Sequence, residues 1–238
     1  MKKTIFVTGV TRMYHGFVCV SGIDLQTGQF VRPEIEYPNE RPGIKKEFLY
    51  VNKIPIIKPL VKVELDFLKH VPQSQYHTED WLINPEYKPR LIGIPNDTEK
   101  RQILQSHTDT SLSNELYDQD RSLIIIRPQE VPWVILRLFE DSLRCRLKFK
   151  DQSGDEFDLP VTDANWLAIC IHYWRLDKNN SIRNLRKLLH NKELFLRIGI
   201  TREYQGQKWK QVSGVFTIPD YLGGKCFADY NYDFDDHV

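Results

Sequence analysis

No apolar run in this 238-residue chain approaches the ~18 residues that a membrane-spanning helix requires, so the sequence predicts a soluble, cytoplasmic protein. The opening Met1-Lys2-Lys3 followed by Thr4-Ile5-Phe6-Val7 starts like a secretory leader. Thr8-Gly9 interrupts its apolar stretch and Arg12 ends it, so it reads as a first strand. Cysteine is scarce. Cys19, Cys145, Cys170 and Cys226 lie far apart, with no C-x-x-C pair and no Cys/His spacing suited to zinc, and so read as buried, reduced thiols. P-loop, G-x-S-x-G and H-E-x-x-H patterns are missing, and the seven histidines are scattered. No catalytic residue, cofactor or metal is therefore assigned. Glu34 and Glu36, near Arg32 and His15, are paired acids of the kind that hold a divalent ion, but no second acidic motif accompanies them.

A large excess of one charge is also lacking: the net charge is +1, which argues against a strong non-specific polyanion binder. The distribution is uneven. Asp229, Asp233, Asp235 and Asp236 follow Ala228 with no Lys or Arg among them, which leaves +5 on the body against −4 on the tail.

What the chain does contain is one stretch used twice. Gly9-Val10-Thr11-Arg12-Met13-Tyr14-His15-Gly16 and Gly199-Ile200-Thr201-Arg202-Glu203-Tyr204-Gln205-Gly206 share the pattern G-[V/I]-T-R-x-Y-x-G. Each follows an apolar run and precedes V-S-G-[I/V], as Val20-Ser21-Gly22-Ile23 and Val212-Ser213-Gly214-Val215. Two strands with a glycine-rich connection at both ends suggest two related β domains.

Along the chain, Thr4–Val10, Phe17–Ile23 and Gln29–Arg32 read as a meander, with a turn at Asp24–Gly28. A proline-rich excursion from Pro33 to Pro59 precedes a half-buried strand, Leu60–Leu68, with Val61, Val63, Leu65 and Phe67 on one face. The polar stretch from Asn96 to Arg121, with helices near Thr98–Ser106 and Leu112–Tyr117, is the candidate junction. Domains are expected at 1–121 and 122–238. In the second, Ser122–Ile126, Trp133–Phe139 and Asp141–Lys150 are strands. Aligning the inward residues pairs Phe149 with Phe157 and Leu147 with Leu159, and puts Gly154 in a left-handed position of a three-residue turn. Lys150 then faces Glu156 and Lys148 faces Asp158, leaving Arg144 and Arg146 for a ligand. A helix capped by Thr162 or Asp163 runs to about Tyr173, another covers Ser181–His190, and Leu194–Ile200 returns to strand.

Short, glycine-interrupted strands with one capping helix per half fit two small OB-like β-barrels in tandem, in a mainly β chain with a few helices. Thr8–Met13, Val18–Asp24, Thr27-Gly28 and Arg32-Pro33, with Arg197–Arg202, Trp209, Val212–Val215 and Pro219–Tyr221, resemble the dual OB-containing domain proteins of prokaryotes. The resemblance implies tandem OB barrels, nucleic-acid binding and association with prokaryotic conflict or defence systems.

OB barrels hold single strands by stacking bases on aromatics and tracking phosphates with cations. The residues suited to this are Arg12, Tyr14 and Arg32 in the first half, then Arg144, Arg146, Arg202, Tyr204, Lys208, Trp209 and Lys210. Against this stands packing: buried aromatics fill barrels, and surface cations are commonly just solvated. The expected partner is a single-stranded or structured nucleic acid, with the acidic, aromatic tail as a second partner site or an ordinary solvating terminus that docks its aromatics. The alternative is a protein-interaction or sensor module that binds no nucleic acid.

Overall fold

The computed structural model describes residues 1–13, 15–38, 42–113, 121–140, 142–202 and 206–234. Three strands start it as a meander: β1 (Lys2–Arg12), β2 (Phe17–Asp24) and β3 (Phe30–Glu34). Among its described residues, the excursion that follows holds short pieces, β4 (Ile44–Lys45), a 3-10 turn (Lys46–Leu49), β5 (Tyr50–Val51) and β6 (Ile54–Pro55). β7 (Lys62–His70) and β8 (Asp80–Ile83) then return, with β9 (Arg90–Gly93) on the flank of β7. β8 lies parallel to β3, β7 pairs antiparallel with β8, and β7 also pairs with β1. The five strands β1-β2-β3-β8-β7 thus close on themselves, which removes the sheet's edges.

The second half repeats this circuit with its first strand broken in two. After α1 (Asp97–Ser106) and β10 (Thr108–Asp109) come β11 (Leu123–Ile126) and β12 (Trp133–Phe139), separated by residues 127–132. That gap contains Pro128 and Pro132, neither of which can donate to a sheet ladder. β12, β13 (Ser142–Lys150) and β14 (Glu156–Pro160) form the meander. α2 (Ala164–Leu176) and α3 (Ser181–Leu189) lead to β15 (Glu193–Ile200) and β16 (Lys210–Ile218). β11 pairs with β15, β15 with β16, and a parallel Val161–Val212 bridge joins β16 to the end of β14. Both halves are OB barrels.

The β13–β14 register is the expected one: Phe149 opposite Phe157, Leu147 opposite Leu159. Gly154 has φ +95°, and the Asp151 carboxylate fixes the turn by accepting the N–H groups of Ser153 and Asp155 at 3.0 and 3.1 Å. Asp163 caps α2, accepting the N–H of Asn165 at 2.8 Å. The expected helix at Leu112–Tyr117 lies mostly outside the described residues.

The expectation of one capping helix per half is corrected in one respect: the helix that completes the first barrel's core comes from the second half. The first barrel's excursion carries no α-helix among its described residues, so its core is completed from elsewhere. Ala164 and Ala168 of α2 and Cys226, Phe227 and Phe234 of the tail pack with Val7, Val20, Val63 and Phe67. Trp166, Ile169 and Cys170, from the same α2, enter the second core with Val134, Leu147 and Leu196. A third cluster, including Phe6, Ile23, Leu104, Ile125, Phe195 and Phe216, fills the seam between the barrels.

The repeated stretch is also not the same element twice. The first copy joins β1 to β2, the opening hairpin of its barrel, whereas the second joins β15 to β16, the closing hairpin. What they share is local. Each hairpin has one extra residue opposite or within V-S-G, Thr8 in β1 and Ser213 in β16. The glycines of both V-S-G motifs press against β1: a Cβ at Gly22 would sit 2.6 Å from the Phe6 carbonyl oxygen, and one at Gly214 would sit 2.9 Å from that of Thr8. The two hairpins therefore pack on each other across the seam.

Candidate nucleic-acid interface

An OB barrel binds nucleic acid on the outer face of its second and third strands and on the flanking loops. In the first barrel that face belongs to β2 and β3, and the second barrel covers it. Ser21, Ile23, Arg32 and Glu34 are all buried there. Arg32 donates from Nε to Asp80 Oδ1 at 2.5 Å and from Nη2 to Ser122 Oγ at 3.3 Å. Glu79 accepts both the N–H and the hydroxyl of Ser122, at 2.8 and 3.0 Å. Arg202 crosses from the second barrel to Glu34 and to Asp80 Oδ2, the latter at 3.2 Å. Each cation here has carboxylate partners, so the network is a polar seam.

His77 sits in the same seam, with Nε2 facing the Ile200 carbonyl at 3.2 Å and Nδ1 facing Ser74 Oγ at 3.0 Å. Burial and the nearby Arg32 guanidinium pull its pKa down from 6.5 to about 4, so at neutral pH it is the neutral ring that bridges the barrels. Between those two values the unfolded chain binds the extra proton, so His77 contributes stability above pH 6.5 that is lost as pH falls towards 4. Asp163, pushed up to about 6 by burial, acts in the opposite sense over much of the same range. Comparing wild type with His77→Gln isolates the histidine. The variant is less stable at pH 7, and urea denaturation from pH 7 to 4 should show that gap narrowing by about 2 kcal/mol. A gap independent of pH would contradict the neutral assignment.

The equivalent face of the second barrel is open. Val134 and Leu136 of β12 and Leu143, Cys145, Leu147 and Phe149 of β13 point into the core. Alternation therefore turns Trp133, Ile135, Arg137 and Phe139 outward on β12, and Arg144, Arg146, Lys148 and Lys150 outward on β13. Trp133 is 58% exposed, with the Arg186 guanidinium of α3 4.7 Å from its ring centre. Phe139 is 48% exposed and carries the Arg144 guanidinium at 4.2 Å. At the other end the β15–β16 connection contributes Trp209, 57% exposed, and Lys208, whose Nζ lies 3.9 Å from the ring centre of Tyr76 in the first barrel.

Of the ten residues expected to bind, the structure brings Arg144, Arg146, Lys208, Trp209 and Lys210 to this barrel's face and its bordering connection. Arg146 is a partial correction: it donates from Nε to Asp158 at 2.7 Å, while Lys148 turns to Glu156 at 3.2 Å. Lys210 is half-buried, with Nζ 5.8 Å from the Phe157 ring centre, and burial lowers its pKa. Arg32 and Arg202 are held in the seam. Arg12 hydrogen-bonds to the Tyr232 hydroxyl, whose pKa burial pushes up to about 12. Tyr14 and Tyr204 lie outside the described residues. Trp133, Arg137 and Phe139, which the sequence does not single out, share this face. Among the described residues no group of three or more His, Cys, Asp or Glu could hold a metal ion; Glu34 is engaged with Arg202 instead. Nor is any helix among them long and apolar enough to cross a membrane.

The tail docks its aromatics, as one of its two readings expects. Phe234 is buried against Phe227, ring centres 5.1 Å apart, and Asp233 pairs with Lys46 at 3.1 Å.

Residues 3–215 match the family model described as the dual OB-containing domain. A search of curated proteins finds no match.

Proposed function

The chain belongs to the dual OB-containing domain family, and from that premise we propose that it is a non-catalytic binder of single-stranded nucleic acid. The binding surface is the outer face of β12, β13 and β14, between the β12–β13 turn and the β15–β16 connection. The observation that carries this reading is the asymmetry of the two barrels. One has its second- and third-strand face buried in the seam, and the other exposes Trp133, Phe139 and Trp209 beside five outward strand cations, with Glu156 and Asp158 the outward acids among the described residues of those strands. Exposed aromatics interleaved with cations are what a single strand needs, since every base offers a stacking face and every nucleotide a phosphate. A duplex, with its bases already stacked, would use the cations alone. The family resemblance carries the further proposal that this binding serves a prokaryotic conflict or defence system.

The test is fluorescence anisotropy with a labelled ~20-nucleotide single strand, of DNA and of RNA, across a salt titration. Wild type should bind with an affinity that falls steeply as salt rises. Trp209→Ala should weaken binding about tenfold with little change in salt slope, because a stacked base contributes ~1–3 kcal/mol without a phosphate contact. No binding at low salt would sink the proposal and leave the face to a protein partner.

A further inference from the structure

The cations of the β12–β14 sheet are not compensated equally. Arg146 has Asp158 at 2.7 Å, Lys148 has Glu156 at 3.2 Å, and Lys150 has Glu156 at 3.5 Å. Arg137 and Arg144 are different. They stand directly opposite each other in the β12–β13 register, both outward and both exposed. Neither has a carboxylate partner among the described residues. Directly opposed side chains have Cβ atoms ~5 Å apart, and like charges in that position destabilise a sheet. Here the sheet keeps two arginines directly opposite each other, and neither is paired with a carboxylate among the described residues.

The next outward residue on β12 is Phe139, diagonal to Arg144, and the Arg144 guanidinium stacks on its ring at 4.2 Å. That contact orients Arg144 and leaves the ring half-exposed at the end of the sheet. Guanidinium groups match phosphate oxygens with paired N–H donors, and a neighbouring aromatic ring gives the adjoining base a surface to pack on.

We infer that Arg137 and Arg144 form a clamp for one backbone phosphate of a single strand, with the adjoining base packed on Phe139. This rests on the binding reading above and adds to it the point where the strand is gripped. The phosphate supplies the counter-charge that the Arg137–Arg144 pair lacks, while the base contact requires an unstacked nucleotide.

The experiment measures the affinity of the full chain for a fluorescent single-stranded 12-mer as a function of salt. It compares wild type with Arg137→Gln, Arg144→Gln, the double variant and Phe139→Leu, with melting temperatures as a control for folding. If both arginines hold one phosphate, each single variant loses about fivefold in affinity and lowers the log–log salt slope by about 0.7. The double variant then loses little more slope, because the shared contact is already gone. Phe139→Leu weakens binding several-fold at unchanged slope. Unchanged slopes in both single variants would overturn the clamp while leaving the binding face standing. So would a double variant that loses about 1.4 in slope, since that counts two separate phosphates. Failure of the wild type to bind would overturn both the clamp and the function it rests on.

Discussion

Phe227→Ala is expected to lower the stability of the protein by about 3–5 kcal/mol, the range for removing a fully buried phenyl ring. The ring is completely buried and meets Tyr50 and Phe234 edge-on, with centres 6.5 and 5.1 Å away. Its N–H donates to Asn165 Oδ1 on α2 at 2.8 Å, so the residue ties the tail to the shared helix as well as to the first core. The size of the effect follows from where the first barrel gets its filling. Its own excursion supplies Leu49 and Ile57, but no α-helix among the described residues, and the tail takes that place. Urea denaturation followed by tryptophan fluorescence checks the value. A loss below about 1 kcal/mol would mean that the tail merely rests on the barrel.

Gly9→Ala is expected to cost a similar amount for a different reason. A Cβ there would lie 2.1 Å from Nη2 and 2.3 Å from Nη1 of Arg197, so the guanidinium has to leave. It cannot leave cheaply. Arg197 is fully buried, donating from Nε to Ser213 Oγ at 3.0 Å and from Nη2 to the Ser213 carbonyl at 2.9 Å. Burial lowers its pKa to about 10, still well above neutral, so the displaced group remains a cation. Breaking the contacts of a buried charge costs about 3–5 kcal/mol. In an Arg197→Met background the flexible thioether can yield, and Gly9→Ala should then cost about 1 kcal/mol. A four-member cycle measured by denaturation isolates the coupling, and equal costs in both backgrounds would remove Arg197 as the cause.

The sequence made the second barrel's hairpins readable because their information is local. β13 alternates Leu143, Cys145, Leu147 and Phe149 with cations, and a single glycine fixes the turn, so the partners of Phe149 and Leu147 followed directly. The seam was not readable in that way. Arg32 looks like any outward cation on a strand, and its partners Asp80 and Ser122 are 48 and 90 residues away. Whether water or another barrel covers such a face is decided by packing that no short window contains. The strands β8 and β9 were missed because four residues carry too little periodicity to stand out. Arg137 is the opposite case. Pairing Trp133–Phe139 with the strand that follows sets Arg137 against Arg144, a like-charged pair that is unfavourable in a sheet and therefore legible as unusual from the sequence alone. The repeat misled for a physical reason: glycines recur where backbones must approach closely, and both hairpins meet that demand at the same seam.

The sharing of α2 and the tail between cores has a consequence for the order in which the chain is made. Strands of the first barrel leave the ribosome before residue 84, yet Ala164, Phe227 and Phe234, which fill it, come 80 to 150 residues later. At ~5–20 residues per second, the early strands wait roughly 4 to 30 seconds with part of their apolar interior uncovered. Nascent first barrels are thus candidates for chaperone capture, and a first half excised by cutting the chain at its middle would leave its shared helix and its plug behind.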